Sequence, residues 1–176
     1  LIVLSIAFAV GAILYTNITL FMNISGAHFN PAVTFMMYLR GKINQSDALI
    51  YSILQILGGI LGVIFTHLMF GENIFSISNI DRSSNFLIIA ELLATSGLLI
   101  VIAVAEKKNP EKIPATVGLF IMSATLFTSS TCFANPAVTL SRIFTDSGVG
   151  IDPYSALLFF VSQLVCAFIV SKIIEN

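Results

Sequence analysis

The sequence predicts an all-α membrane protein, an inverted repeat of membrane-spanning helices with two re-entrant half-helices. Three observations predict it. The first is composition: 57% of the 176 residues are hydrophobic and 10% are charged, with a mean hydropathy of +0.98, against about 25% charged in soluble domains. The second is a pentapeptide that occurs twice, Asn30-Pro31-Ala32-Val33-Thr34 and Asn135-Pro136-Ala137-Val138-Thr139. The third is context, because both copies lie in largely apolar stretches among runs long enough to cross a bilayer, which takes about 20 residues.

Leu1 to about Leu20 is a continuous apolar run and the first visible span. Both pentapeptides read as helix starts: Asn accepts from a free backbone N–H, and Pro costs nothing at the first helical position, where its missing donor has no partner. The first of these helices runs only to about Leu39, before Arg40-Gly41-Lys42. At about 1.5 Å per residue it covers roughly half a bilayer and cannot span. A polar turn follows, and Ser46 or Asp47 caps a second span to about Phe70, whose Gly58, Gly59 and Gly62 form a small-residue face for close helix packing. Gly71 to Ser84, with Glu72, Asn73, Asn79, Asp81 and Arg82, is a solvated connection.

Phe86 to Ala105 is the third span, Glu106 to Pro114 a charged loop, and Ala115 to about Phe127 with its flanks the fourth. The second half-helix ends near Phe144, and Asp146-Ser147-Gly148 breaks the chain. Asp152 as cap and Pro153 at the first helical position open the last span, to about Ile173.

The two pentapeptides lie 105 positions apart (135 − 30). The chain is therefore read as a single transmembrane domain over 1–176, with a truncated first repeat at 1–70 and a second repeat at 83–176. The second repeat, starting near Ser83, would have its counterpart start near position −22, so the expectation is five of six transmembrane helices, the first being absent. If the connections alternate sides, Arg40, Lys42, Lys107, Lys108, Lys112 and Lys172 share one face, and only Arg82 and Arg142 the other. The richer face is then cytoplasmic, and so is the C-terminus of a multi-pass cell-membrane protein.

A net charge of −1 without a basic stripe points away from nucleic acid. Cys132 and Cys166 are too few for a disulfide framework or a metal site, no cofactor motif is present, and nothing indicates an enzyme. Half-helices at matching places in two inverted halves can meet at the midplane. They would bring two positive dipole ends and the amides of Asn30 and Asn135 to one point, where the amides can donate to a passing water or hydroxyl while the dipoles repel cations.

Ser25-Gly26-Ala27-His28-Phe29-Asn30-Pro31-Ala32-Val33-Thr34 resembles the first signature loop of the aquaporin (major intrinsic protein) family, and Thr131-Cys132-Phe133-Ala134-Asn135-Pro136-Ala137 resembles the second. The resemblance covers nearly the whole chain. It implies an aquaporin-like fold, a homotetramer with one pore per protomer, and passage of water and small neutral solutes past paired loops that exclude protons and ions. It also places a selectivity filter. The residue after the second Asn-Pro-Ala is Arg in strict water channels and Val138 here, which removes a fixed charge and five donors. Cys132 matches the loop position of the filter, Ser123 the fifth-helix position, and Phe8 the second-helix aromatic, with Val10 as its rival. Such a filter is roomy and weakly polar. With Thr139 to Asp146 after it, it is similar to a bacterial branch associated with arsenite-like metalloid hydroxides; small polyols are also admitted by size.

An ionisable group within a span is functional or paired. Glu91 resembles the family's buried Glu that braces the re-entrant loop, and its first-half twin would fall near position −14; bracing is the expectation, with lining the pore and coupling to protons as the alternatives. His28 either packs the first loop or titrates at its cytoplasmic side. Arg142, one turn beyond Val138, either leans towards the pore mouth or snorkels to the outer interface, the second being the expectation, and His67 is expected to be interfacial. The sequons at Asn17 and Asn23 lie in or beside a span on the inner side and should stay unmodified. Two other classes compete with the channel: an ion-coupled transporter, and a non-conducting structural protein of the same fold.

Overall fold

A computed structural model describes residues 1–174, and among them every regular element is helical. Helix α1 is Ile2–Ser25, α2 Pro31–Leu39, α3 Gln45–Phe70, α4 Asn85–Lys108, α5 Ile113–Phe127, α6 Pro136–Ser141 and α7 Pro153–Ile173; short 3-10 turns occupy Pro110–Lys112 and Arg142–Phe144. Helices α1, α3, α4 and α7 are long and apolar enough to cross a membrane. Helix α5, at 15 residues, reaches about 22 Å.

Local chemistry explains the ends. Asp152 accepts from the amides of Tyr154 and Ser155 with Pro153 at the first position, as the sequence predicts. Helices α1 and α3 stop at Gly26 and Gly71, which take left-handed φ of 76° and 70° and so close the last turn. One cap differs from expectation: α3 is capped by Asn44, which accepts from Asp47 N at 2.9 Å and donates to the Asp47 carboxylate at 2.8 Å. The polar turn thus ends two residues earlier than Ser46, and three earlier than Asp47, would place it.

The repeat is visible in the packing. Offset by about 105 residues, α1, α2 and α3 correspond to α5, α6 and α7. Counterparts α1 and α5 pack together, α2 packs on α7, and α6 packs on α3. The α1–α5 crossing centres on two glycines: a Cβ on Gly11 would sit 2.8 Å from the Gly118 carbonyl oxygen, and one on Gly118 would sit 2.8 Å from that of Gly11. Of the α3 glycines only Gly59 meets a neighbour, the start of α6 at 3.2 Å, whereas Gly58 and Gly62 face open space.

Charge gathers at the two ends of the bundle. At one end Arg40 and Lys42, beyond α2, pair with Glu106 of α4 at 2.5 and 3.4 Å. At the other, the 71–84 connection lies along the 142–155 segment: Ser76 and Ser78 donate to the carbonyls of Phe144 and Ile143, and Asp152 donates to that of Ile80. Hydrogen bonds from Ser83 and Ser155 hold the Asp81 carboxyl below its ordinary range. His67 belongs to this layer and is buried rather than interfacial, its ring nitrogens bonded to the Ile74 carbonyl and the Thr145 hydroxyl, both at 3.0 Å.

Candidate pore and its paired loops

The half-helices enter from opposite ends. Helix α2 runs from Asn30 toward Arg40 and the Glu106 end, and α6 from Asn135 toward Phe144 and the opposite end. Their N-termini therefore meet in the middle of the bundle. Each Asn caps its own helix, Asn30 accepting from Ala32 N and Asn135 from Ala137 N, both at 2.9 Å. Each also donates across the junction: Asn30 Nδ2 to the Ala134 carbonyl at 2.7 Å, and Asn135 Nδ2 to the Phe29 carbonyl at 2.9 Å. An amide carries two N–H groups. One of each thus holds the loops together, and the other has no acceptor among the described residues.

The loops are bent alike. Gly26, Ala27 and Phe29 have φ of 76°, 47° and 48°; their counterparts 105 residues on, Thr131, Cys132 and Ala134, have 61°, 52° and 44°. Non-glycine residues in this region are strained by roughly 1–2 kcal/mol each, so the surroundings must hold them. In the second loop the fully buried Glu91 does so. It accepts from Phe133 N at 3.2 Å, from Ala134 N, from Thr95 Oγ1 at 3.2 Å and from Gln163 Nε2 at 3.0 Å. Gln163 donates also to Thr139 Oγ1 at 2.8 Å. The first half has a similar pair, Gln55 Nε2 donating to Thr34 Oγ1 at 3.0 Å, and Thr34 is also 3.1 Å from His28 Nδ1. The His28 ring lies edge-on to Tyr51 at 5.9 Å. These glutamines escape a reading of the sequence centred on charge; the only signal for them is that each lies on the span following its pentapeptide threonine.

A cavity of about 670 Å³ passes these loops, and Asn30, Asn135, His28, Cys132 and Val138 all line it. An adjoining cavity of about 440 Å³ opens toward α3 past Tyr51 and Gln55. The α1 contribution is the stripe Val10, Leu14, Ile18 and Met22, at a spacing of four residues. Phe8 is not in the lining and is 66% exposed. The reason is helical phase: Gly11 and Ala7 are turned into the bundle, and a residue two positions from Val10 points to nearly the opposite side. Ser123 is likewise exposed and outside the lining, the α5 stripe being Ile113, Val117 and Ile121. Arg142 does not snorkel away. It lines the cavity, its guanidinium carbon 4.3 Å from the centre of the Phe133 ring. Glu91 lies behind the loop, outside the lining, and Cys132 and Cys166 are buried free thiols.

Comparison with known proteins bears on this arrangement directly. The family model "Major intrinsic protein" matches residues 1–134. Aquaglyceroporin AqpS of Rhizobium meliloti (strain 1021) is 40% identical over 162 residues, which cover 90% of this chain and 70% of that protein. Aquaporin TIP1-2 of Musa acuminata is 31% identical over 139 residues, covering 73% of this chain and 55% of its own length. Among solved structures, the aquaglyceroporin from Plasmodium falciparum superposes with a TM-score of 0.80 at 20% identity, over 99% of this chain and 82% of that one.

Proposed function

The chain belongs to the major intrinsic protein family, and from that premise we propose that its cavity is the pore of a passive channel for water and small uncharged solutes, which excludes protons and ions at the paired Asn-Pro-Ala loops. The observation that carries this reading is the meeting of the two half-helix N-termini beside the cavity, with Asn30 and Asn135 both in its lining. Two positive dipole ends at one point repel a cation and turn water so that its oxygen faces the junction, which interrupts a proton relay. A neutral solute feels neither penalty.

Val138 supports a wider class of solute than water. A valine at the lining offers no donor and no charge, so the barrier there depends on width. Metalloid hydroxides such as As(OH)₃, neutral at pH 7 and close in size to a small polyol, suit such an opening. Glu91 speaks for passive transport over ion coupling: its carboxylate is engaged by four donors of the protein itself, and no solute in the lining would reach it. Its role in this reading is to brace the second loop. The Arg40, Lys42 and Glu106 end, with Lys107, Lys108 and Lys112 nearby in sequence, is taken as cytoplasmic, and a homotetramer as the assembly.

Swelling of proteoliposomes tests the proposal. Uptake of As(OH)₃ or glycerol that saturates weakly and is indifferent to a proton gradient is expected. Dependence on the gradient would replace the channel with a coupled transporter, and absence of all flux would leave a structural protein.

A further inference from the structure

Near Val138 the cavity wall carries a charge that residue 138 does not supply. One helical turn along the chain, Arg142 lines the same cavity from the 3-10 turn that follows α6. Its guanidinium rests on Phe133 at 4.3 Å, within cation–π range. That ring is only 3% exposed and is held edge-on by Phe159, at 5.4 Å and 85°, so the surface under the guanidinium is fixed.

A second arginine meets the same ring but is used differently. Arg82, at 5.2 Å, gives its Nε and Nη2 hydrogens to the carbonyls of Gly150 and Gly148 at 2.8 and 3.0 Å, and so ties two connections together. Among the described residues no carbonyl or carboxylate takes the donors of Arg142, and the ion pairs found are those of Glu106 with Arg40 and Lys42. Its contact with the protein is the stack on Phe133. Its five donors and its charge, which no protein environment removes, are left to whatever occupies the cavity.

We propose that Arg142 is the specificity-determining cation of this pore: stacked on Phe133, it supplies from one turn beyond Val138 the positive charge and the planar donor fork that repel cations and bind the oxygen of water or a neutral hydroxylated solute. The opening at Val138 keeps its width, and the electrostatic barrier sits beside it, not in it. Solute breadth and cation exclusion are then set by different residues. The inference rests on the channel reading above, and Arg142 deepens it.

The test uses the full chain in proteoliposomes and compares wild type with Arg142→Gln and Arg142→Lys. The readout is potassium flux divided by osmotic water permeability, so that changes in the amount of folded protein cancel. The ratio is expected to rise about tenfold or more in Arg142→Gln and to stay within about threefold of wild type in Arg142→Lys. An unchanged ratio in the Gln variant overturns the inference, and so does a Lys variant that leaks as freely as the Gln one.

A second measurement needs no change at 142. With Cys166→Ala removing the other thiol, Cys132 in the cavity wall should react with an anionic methanethiosulfonate at least about tenfold faster, relative to a cationic one, than free cysteine does. A ratio equal to that of free cysteine overturns the inference. Wild-type vesicles without water or solute flux overturn the channel reading instead, and the thiol ratio still reports the charge.

Discussion

Asn30 and Asn135 each donate a hydrogen bond to the carbonyl immediately preceding the other: Asn30 to Ala134 O at 2.7 Å, and Asn135 to Phe29 O at 2.9 Å. The two halves of the chain are thereby closed on each other at the point where their helix dipoles converge. Each amide serves two ends at once, since its oxygen caps a half-helix and one hydrogen joins the halves, and its other hydrogen has no acceptor among the described residues.

Replacing either amide by a carboxylate, Asn30→Asp or Asn135→Asp, keeps the capping oxygen and removes both hydrogens. The clasp is lost at a cost of about 1–3 kcal/mol, and a negative charge now sits between the dipole ends. A new cation conductance is expected in planar bilayers, with a lower unfolding temperature in detergent. Variants as silent to potassium as wild type would show that the exclusion of ions lies elsewhere.

Val138→Arg places a second guanidinium in the wall where valine leaves the lining open. Arsenite or polyol uptake should fall about tenfold or more while water permeability falls less, because added bulk and donors hinder the larger solute first. Stopped-flow light scattering measures both on the same vesicles. Equal loss of both fluxes would displace the constriction from residue 138.

Glu91→Gln tests the brace of the second loop. The carboxylate accepts from four groups, and an amide turns its NH₂ toward some of them, of which only the Thr95 hydroxyl can accept in return. A loss of about 2–3 kcal/mol is expected for a buried donor left without its charged acceptor, read as an earlier unfolding midpoint together with reduced water permeability. If stability fell and permeability per folded protein did not, the loop would hold its shape without Glu91.

Gly11→Ala and Gly118→Ala each push a methyl group to 2.8 Å from the facing backbone oxygen. Overpacking of this kind costs about 1–3 kcal/mol, and the double variant should cost less than the sum, since either one already parts α1 from α5. Gly62→Ala is the contrast, because a Cβ there meets nothing within 4 Å. Thermal unfolding of the three single variants in detergent separates crossing from propensity; equal behaviour of all three would remove the glycine crossing as the reason α1 and α5 approach so closely.

Much of the fold was legible in the chain because it depends on neighbours in sequence. Apolar length predicts the spans, Asn-Pro predicts half-helices beginning at Asn30 and Asn135, and Asp152-Pro153 predicts the start of α7. The 105-residue offset predicts the repeat, which extends to the left-handed residues before each Asn. Small slips, such as Asn44 rather than Ser46 or Asp47 at the start of α3, come from rival caps two or three residues apart.

Sequence alone determined which segments are helices, where two of them must stop halfway, and that their Asn residues belong together. Tertiary structure decided which way each helix faces and what each long side chain touches. Helices that are apolar on every side carry no stripe to reveal their inner face, so the choice of Val10 over Phe8 waited on the Gly11–Gly118 crossing. Likewise Arg142 over Phe133, His67 beside Thr145 and Glu91 beneath Ala134 depend on partners that only the folded chain brings near. Burial in such a chain leaves polar groups no water to turn to, so each takes the position its partners offer.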